Sequence, residues 1–327
     1  MIRVLHLTPA LVQGGVERHL ATLAPALGAA FGQHVAVIHP TWLLPPFFDA
    51  PLRAAGIPIT YLEKPVGKWG RLPLLARYLR LVRTFRPHIV HAHQPEAMRF
   101  ARIVHSRLAR QTRLVLTSHD LLEDPLDQRW ERRLIDIGDA IVAVSEGVQA
   151  QYLAQYPSVR DRLVLIPHGI EAQAFAPGSR HAARARLGIP PEVTLGLMPA
   201  RYATKKNHLG LLAAVQALQT RGTWPPQGRL LCLGGNSDPP LLEDLRRLLA
   251  EHPALGQVVE LREGVPNILD FYHACDFVVL PSHYEGFGLV LAEAAAAARP
   301  ALVTPLANVA RFVLDEVTGW EVPLDGL

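Results

Sequence analysis

The stretch Pro281–Pro300, PSHYEGFGLVLAEAAAAARP, decides how this sequence is interpreted. The apolar residues Phe277–Leu280 just before it are typical of a buried strand, since parallel strands covered on both faces are apolar throughout. A polar turn follows, and from Leu289 onward leucine and alanine predict a helix that ends at Arg299-Pro300. The sequence therefore predicts a strand, a turn and a helix in direct succession.

The turn contains Gly286-Phe287-Gly288, and glycine lets the backbone approach a ligand closely. The first N–H groups of a helix lack partners within the helix and lie at the positive end of its dipole, so such a turn suits an anion. Two carboxylates flank it, Glu285 in the turn and Glu293 among the helical alanines. The local sequence fits both an anion-binding turn and an ordinary strand–turn–helix with a solvated glutamate.

Length and composition indicate two globular domains. The chain has 327 residues, of which 49% are hydrophobic, and its mean hydropathy is +0.14; no apolar run reaches the roughly 18 residues of a spanning helix. No basic and apolar leader precedes the first predicted strand, which begins at Ile2. Cys232 and Cys275 lie in apolar surroundings and predict reduced, buried thiols. We therefore expect a cytoplasmic protein.

Basic residues are concentrated in one region. Residues 1–170 contain 20 Lys and Arg against 13 Asp and Glu, whereas residues 171–327 contain 13 against 16. The region 64–113 alone carries 12 basic residues and a single acid, Glu96. Such a density indicates an anionic partner. No zinc-finger spacing or RNA-binding signature occurs, so nucleic acid is not expected, and an anionic membrane surface is favoured.

Within this region, residues 72–85 predict a basic amphipathic helix. Its apolar positions are 72, 75, 79 and 82, with Arg77, Arg80 and Arg83 beside them. Helices of this kind either lie solvated on a protein surface or dock on anionic lipid headgroups. The sequence is compatible with both of these interpretations.

The first half of the chain repeats the strand-to-helix arrangement. A predicted strand at Ile2–Leu7 leads through a loop to a helix that starts at Gly14-Gly15, which suits either a phosphate or a simple glycine-capped helix start. The pattern G-x-G-x-x-G is absent, so a nicotinamide cofactor is not expected. His119 follows the predicted strand Leu114–Ser118, at the strand end where open α/β sheets bind ligands. Further strands are predicted at 34–39, 57–62, 88–94, 140–144 and 163–166.

His91 and His93 lie on one face of the predicted strand 88–94, which runs into a predicted loop. Two imidazoles two residues apart would suit a metal ion, but no third ligand with sensible spacing follows. No metal site is therefore predicted.

The second half begins after a segment rich in Pro, Gly and Ala. We predict a first domain at 1–166, a linker at 167–179 and a second domain at 180–327. After the predicted strand Leu195–Pro199 come Arg201, Lys205 and Lys206, and Asn207 marks a helix start. Arginine binds phosphate through two donors and lysine acts as a mobile point charge. This segment is either a phosphate-binding turn or an ordinary basic turn.

Taken together, these motifs resemble those of retaining GT-B glycosyltransferases of family 4, also called group 1. The family signature is a Glu, seven residues and a second Glu around G-F-G-L, as at Glu285 and Glu293. The resemblance implies two Rossmann-like α/β domains facing each other across a cleft. It also implies transfer of a sugar from a nucleotide-diphosphate sugar to a saccharide or lipid-linked acceptor, with retention of anomeric configuration and without a cofactor. No Asp-x-Asp occurs, so a bridging divalent metal is not expected.

The resemblance also implies roles for particular residues of the second domain. Glu285 and the backbone amides of Gly286-Phe287-Gly288-Leu289 would contact the donor sugar, and Glu293 the nucleotide ribose. Arg201 and Lys206 fall in register with the family pattern Gly-Arg-x4-Lys-Asn and would contact the diphosphate.

In the first domain the resemblance implies two further contacts. Gly15, in a G-G-x-E loop, would lie at the donor phosphates and the acceptor. His119, in T-S-H-D, matches a histidine that points at the donor sugar.

The chain departs from the family pattern at several places. Ala200 replaces the usual glycine, and residues 168–171 are HGIE where the family has Asn-Gly-Val/Ile-Asp. The family's loop G-G-x-x-E is replaced here by Ala307-Asn308-Val309-Ala310-Arg311. Relatives continue for several tens of residues beyond Leu327, so we expect a truncated chain. Two functions are alternatives to sugar transfer. One is a nucleotide-sugar 2-epimerase of the same architecture, and the other is a catalytically silent sugar-nucleotide-binding protein.

Overall fold

A computed structural model divides the chain into two compact units, Met1–Gly169 and Ile170–Leu327. It describes residues 1–64, 71–108, 112–120, 135–235, 238–265, 267–306, 308–309 and 311–324, without the side chains of 71 and 103–108. The boundary between the units falls inside the predicted linker 167–179. Phe175 of that segment is buried in the core of the second unit.

The first unit is built on a parallel sheet of seven strands in the order β3-β2-β1-β4-β5-β6-β7. The strands are β1 (Ile2–Thr8), β2 (Phe31–Val37), β3 (Ile59–Tyr61), β4 (Ile89–His93), β5 (Arg113–Ser118), β6 (Ala140–Ala143) and β7 (Leu163–Leu165). The helices are α1 (Gly15–Leu27), α2 (Asp49–Ala54), α3 (Arg71–Phe85), α4 (Gln94–Leu108) and α5 (Glu146–Gln155).

The second unit has a parallel sheet of six strands in the order β10-β9-β8-β11-β12-β13. The strands are β8 (Thr194–Met198), β9 (Gly228–Gly234), β10 (Val259–Glu263), β11 (Phe277–Leu280), β12 (Ala301–Val303) and β13 (Gly319–Glu321). The helices are α6 (Ala172–Phe175), α7 (Arg180–Leu187), α8 (His208–Thr220), α9 (Pro239–Glu251), α10 (Pro253–Val258), α11 (Leu269–Ala274) and α12 (Leu289–Ala296).

In both sheets the chain first adds strands on one side of the first strand and then continues on its other side. In the first unit β2 and β3 lie on one side of β1, and β4 lies on the other side. In the second unit β9 and β10 lie on one side of β8, and β11 lies on the other side. Ligands of such sheets bind outside the carboxyl ends of the two strands at this switch point. In the first unit these ends are Thr8 and His93, and in the second they are Met198 and Leu280.

The central strands are buried on both faces, which explains their apolar sequences. In β1 every residue from Val4 to Thr8 is buried. Leu5 and Leu7 belong to the apolar core on one face of the sheet, whereas His6 and Thr8 point to the other face and are the polar residues of this buried run.

Helix α3 buries part of the predicted stripe, since Val82 is buried and Leu75 and Leu79 are partly buried against the core. Leu72 of the predicted stripe is exposed. The buried positions are Leu74, Tyr78, Leu81 and Val82. Spacings of three and four residues fit two adjacent helix faces equally well, and contact with the sheet selects the face that carries Tyr78.

The loop predicted after the strand at 88–94 is wrong. Helix α4 begins at Gln94, directly after β4, because Gln94 adopts a left-handed backbone conformation with φ 70° that turns the chain within one residue. Strands β12 and β13, of three residues each, were not predicted.

Both cysteines are buried and free, as predicted. Among the described residues, no helix has the length and apolar character needed to cross a bilayer.

Candidate active site

The strand, turn and helix predicted at 277–300 are present in the second unit. β11 ends at Leu280, and α12 begins after Gly288, whose φ of 85° is left-handed and suits glycine. None of the described side chains caps this helix start. Phe287 is buried, and its ring meets that of Phe312 edge to face at 5.3 Å between centroids. The helix ends at Ala296, three residues before the predicted stop.

Glu285 is buried in the turn, and one of its two carboxylate oxygens is hydrogen-bonded within the protein. Its side-chain Oε1 accepts hydrogen bonds from Lys206 Nζ at 2.5 Å and from Ser282 Oγ at 2.7 Å. Its backbone oxygen accepts from Asn308 Nδ2 at 2.6 Å. Only 6% of Glu285 is exposed, so the ion pair with Lys206 is shielded from water. Removing one partner of a buried pair typically costs about 3–5 kcal/mol of stability.

The basic turn after β8 contacts the turn after β11. A single turn of 3₁₀ helix, Thr204–Lys206, leads to Asn207, whose side chain caps α8 by accepting from Gly210 N at 3.2 Å. The backbone N–H of His283 donates to Lys205 O at 2.8 Å. Lys205 Nζ also lies 4.9 Å from the centroid of the Tyr284 ring. The two predicted parts of the site are therefore joined at the switch point of this sheet.

Arg201 is the exposed cation of this turn. It makes no hydrogen bond or ion pair with the part of the chain that the structure describes, so its five donors remain available to a ligand. Ala200, which replaces the family's glycine, is buried in the apolar core, so its methyl group points away from solvent.

Glu293 is buried on α12 and hydrogen-bonded to a tyrosine. Its Oε2 accepts from the hydroxyl of Tyr272 at 2.8 Å, and both residues are almost inaccessible to solvent. A buried carboxylate needs a hydrogen-bond partner, and the hydroxyl of Tyr272 provides one for Glu293. Contact between Glu293 and a ribose remains a prediction. Tyr272, on α11, was missed because nothing in the sequence links it to a residue 21 positions away.

The loop 307–311 supports the same turn through Asn308, which is buried. Arg311 lies with its guanidinium carbon 5.8 Å from the centroid of the Phe287 ring. Ala307 and Ala310 lie outside the described residues. The amide of Asn308 that holds Glu285 has no counterpart in the family's glycine pair.

In the first unit, the turn after β1 is stabilised by Glu17. Gly15 begins α1, and Gly14 precedes it in an extended conformation without a side-chain cap. A side chain at Gly14 would collide with the carboxylate of Glu17. Glu17 is buried in the first turn of the helix and accepts a hydrogen bond from Gln94 Nε2 at 2.9 Å. Its charge lies where the helix dipole favours an anion.

Four histidines form a chain of imidazole rings at the same sheet edge. His6 Nδ1 lies 3.4 Å from His93 Nε2, and His93 Nδ1 lies 3.1 Å from His119 Nε2. His119 Nδ1 in turn lies 3.1 Å from His168 Nε2. The ring of His19 on α1 packs 3.9 Å from that of His168. The structure places His119 at the end of β5, as predicted, and its contact with a sugar remains a prediction.

Burial keeps these imidazoles neutral. It lowers the pKa of His6 and of His19 to about 4 and that of His168 to about 3. Burial, and then the neighbouring His168, lower the pKa of His119 well below its usual range. A neutral imidazole donates through one nitrogen and accepts through the other, so the chain can be satisfied without charge.

His91 extends this group on the β4 side. It lies directly opposite His6 in the register of β1 and β4, and its Nε2 is 2.6 Å from Thr117 Oγ1. His6, His91 and His93 each offer a nitrogen, and these nitrogens lie within 4.8 Å of one another. The sequence prediction missed His6 because it searched for a third ligand after His93. The order of strands in such a sheet, which places the first beside the fourth, was the available signal.

The second unit also contains a buried histidine, His208, whose burial was not predicted from the sequence. It begins α8 directly after Asn207, and its ring lies 4.9 Å from that of Tyr202. Burial lowers its pKa to about 4. This imidazole therefore adds no positive charge to the turn that carries Lys206 at neutral pH.

Several solved structures share this fold over nearly the whole chain. HepE of Anabaena, solved with UDP and glucose, has a TM-score of 0.83 at 20% identity, covering 99% of this chain and 86% of that chain. Sucrose-phosphate synthase of Thermosynechococcus elongatus has a TM-score of 0.80 at 22% identity, covering 100% and 88%. These neighbours are GT-B glycosyltransferases. The predicted class, an α/β protein with two Rossmann-like domains of the GT-B fold, is confirmed.

Sequence profiles agree with this class. The profile described as Glycosyltransferase Family 4 matches residues 13–174, and that described as Glycosyl transferases group 1 matches residues 193–326. Together the two profiles match most of the chain. The chain therefore belongs to the group 1 glycosyltransferase family.

Curated relatives include several D-inositol 3-phosphate glycosyltransferases. The protein of Xylanimonas cellulosilytica is 30% identical over 227 residues, which are 67% of this chain and 52% of the relative. That of Kineococcus radiotolerans is 32% identical over 198 residues, which are 58% and 45%. The chain thus spans about half the length of the curated relatives it matches.

Proposed function

We propose that this protein transfers a sugar from a nucleotide-diphosphate sugar to a saccharide or lipid-linked acceptor, with retention of anomeric configuration. Membership of the group 1 family supports the reaction class, and the complexes of HepE with UDP, glucose and UDP-glucose support the class of donor. Neither the epimerase nor the silent binding protein is favoured by these comparisons.

The buried pair Lys206–Glu285 carries this proposal. It unites the ends of two adjacent parallel strands at the switch point of the second sheet, beside the uncapped start of α12. A cation, a carboxylate and the N–H groups of a helix start can together bind a sugar that is joined to a diphosphate. An ordinary surface turn has no reason to bury such a pair.

In the proposed reaction, charge builds on the leaving diphosphate as the glycosidic bond breaks. Lys206 and Arg201 meet this charge together with the amides of Gly286–Leu289, as preorganised donors that need no reorganisation. Glu285 accepts hydrogen bonds from sugar hydroxyls and holds Lys206 in place. Neither Glu285 nor His119 is placed as a covalent nucleophile. We therefore propose that the acceptor attacks on the face that the leaving diphosphate vacates. The reaction needs no cofactor, and no bridging metal at the diphosphate.

Residues of the first unit complete the proposal. Gly15 is proposed to contact the donor phosphates and the acceptor, and His119 to orient the sugar ring. The ring nitrogens of His119 lie beside His93 and His168, which would hold that imidazole in one orientation.

We also propose that the protein is cytoplasmic and docks on anionic lipid through the basic region 64–113. Ion pairs and hydrogen bonds within the protein already occupy some of the basic residues that could bind lipid. Lys64 pairs with Glu96 at 2.5 Å, and Arg77 donates to the backbone oxygens of Leu62 and Glu63. Arg80 and Arg83 on α3 are exposed and have no such partner among the described residues. They are therefore two cations of the described part of this region that are available to a membrane.

The reaction is tested with a panel of labelled UDP-, GDP- and ADP-sugars, with and without added Mg²⁺ and lipid acceptor. We expect transfer, or slow donor hydrolysis, with one nucleotide and no need for Mg²⁺, and NMR of the product should show the anomeric configuration of the donor. Arg221, exposed beyond α8, provides a matched control, because Arg221→Ala should leave turnover unchanged. An isomerised donor, or binding without turnover, would contradict the proposal.

A further inference from the structure

We propose that His6, His91 and His93 form a binding site for a zinc-type divalent metal ion, which we call the three-histidine cluster. The cluster belongs to the first unit, whereas the Lys206–Glu285 pair belongs to the second. It is not the bridging metal at the diphosphate, which we proposed above to be unnecessary. The proposal rests on where two adjacent strands place three imidazoles.

The register of the sheet brings the three rings together. His6 of β1 is the pairing partner of His91 of β4, and His93 follows two residues later on the same face. Ring centroids are separated by 5.4 Å for His6–His91, 5.7 Å for His6–His93 and 4.1 Å for His91–His93. Ligands held on neighbouring strands of a buried sheet are more rigid than ligands on loops.

The distances suit a small tetrahedral ion. Zinc binds imidazole nitrogen at about 2.0–2.1 Å, so two ligands of a tetrahedral site are about 3.3–3.4 Å apart. His6 Nδ1 and His93 Nε2 are 3.4 Å apart before any ion is bound. All three ligand nitrogens lie within 4.8 Å of one another, so binding requires the third to move inward by about an ångström. A fourth position is left for water or another ligand.

The outer nitrogen of each ring has a hydrogen-bond partner, as metal-binding histidines almost always do. His6 Nε2 lies 3.3 Å from Gln33 Oε1, His91 Nε2 lies 2.6 Å from Thr117 Oγ1, and His93 Nδ1 lies 3.1 Å from His119 Nε2. His6 and His93 are fully buried. Among the described residues, only imidazoles belong to this cluster, and such ligands favour zinc, copper, nickel or cobalt over magnesium or calcium.

An ion at this cluster would fix the protons of the histidine chain. With Nε2 of His93 bound to metal, its Nδ1 must carry the proton and donate to His119 Nε2. His119 then carries its own proton on Nδ1 and donates to His168. This consequence concerns the proposed role of His119 and therefore rests on the proposed function, whereas metal binding itself does not.

The test uses the full chain purified without a polyhistidine tag. We expect about one equivalent of zinc per chain by elemental analysis, retained against a competing chromogenic chelator. Co²⁺ added after chelator treatment should give the intense visible absorption of a tetrahedral nitrogen site. Donor binding, measured separately with UDP-sugars, distinguishes failure of this proposal from failure of the proposed function.

Matched variants identify the site. His91→Gln removes a ligand, and Thr117→Val removes only the hydrogen bond to His91, which should weaken zinc binding by about 10–100-fold. Control variants are His34→Gln and Thr60→Val, because His34 Nε2 makes the same bond to Thr60 Oγ1 at 2.8 Å on the opposite face of the sheet. The controls should bind zinc normally.

Two outcomes would overturn the proposal. One is a wild-type protein that neither contains zinc nor competes with the chelator for it. The other is zinc binding that survives in His91→Gln and in His6→Gln at wild-type affinity, which would assign the metal to surface histidines. Circular dichroism confirms the fold of each variant, and the Co²⁺ spectrum of the wild type tests the site without any substitution.

Discussion

At the scale of single residues, Lys206 and Glu293 have separate places in the proposed reaction. Lys206 would meet the diphosphate, whose charge grows as the bond breaks, whereas Glu293 would meet the ribose, which does not change. An interaction that strengthens only in the transition state affects kcat, and one that is equal in both states affects KM.

We expect Lys206→Gln to lower kcat by about 10²–10³-fold, the effect of losing one preorganised charge-stabilising group. Glutamine can still donate to Glu285, so the buried carboxylate keeps a partner. Glu293→Gln keeps its shape and its bond to Tyr272 but loses charge, which weakens hydrogen bonds by about 1–2 kcal/mol and should raise the donor KM roughly tenfold.

Steady-state kinetics with varied donor distinguishes these two effects, after thermal unfolding has shown that each variant is folded. Tyr272→Phe serves as the control for Glu293, because it removes the hydroxyl that holds the carboxylate. If Glu293→Gln abolishes turnover at saturating donor while Lys206→Gln changes only KM, the two roles are reversed.

At the scale of structural elements, strands β1, β4 and β5 bring neutral histidines together. Because burial lowers the pKa of His6 and His19 to about 4 and that of His168 to about 3, the unfolded chain binds more protons than the folded one between pH 6.5 and 4. Folding is therefore most favoured above pH 6.5, and its stability falls as the pH drops through this window.

We expect the free energy of unfolding of the first unit to fall between pH 7 and pH 5. Each such histidine contributes up to about 1.4 kcal/mol per pH unit below its unfolded pKa. Urea unfolding at several pH values measures this slope, with hydrogen exchange to separate the two units. His168→Gln should reduce the slope, and an unchanged slope in that variant would show that the proton uptake lies elsewhere.

At the scale of the whole molecule, charge is divided unevenly between the two halves. The basic excess lies in residues 1–170, and the exposed cations of α3 belong to it. Exposed charges act over about 8–10 Å at physiological ionic strength, so an anionic surface would be attracted only at close range and in a salt-dependent way.

We expect Arg80→Gln combined with Arg83→Gln to weaken binding to vesicles that contain anionic lipid by about 30-fold, at roughly 1 kcal/mol per charge. Arg221→Gln with Arg229→Gln removes the same charge from exposed positions of the second unit and should have little effect. Co-sedimentation at two salt concentrations measures the binding. Equal binding to neutral vesicles would refute lipid docking through this region.

The sequence by itself determined the local elements. The apolar run Phe277–Leu280, the glycines after it and the alanines after Leu289 specify strand, turn and helix through residues that are neighbours in the chain. The class of fold, two Rossmann-like domains, followed from the resemblance to a family of known fold. The stripe of α3 was predicted only in part, because periodicity alone does not say which of two adjacent faces packs most deeply on the sheet.

Only the tertiary structure decided which distant residues meet. Lys206 and Glu285 are 79 positions apart, and His6 and His93 are 87 apart. In a parallel sheet each strand returns through a crossover, so adjacent strands are far apart in sequence and their contacts leave no local periodic signal. The partners of Glu293, Glu285 and His119 depend on that register, and so does the three-histidine cluster, whose third member precedes the other two by more than eighty residues.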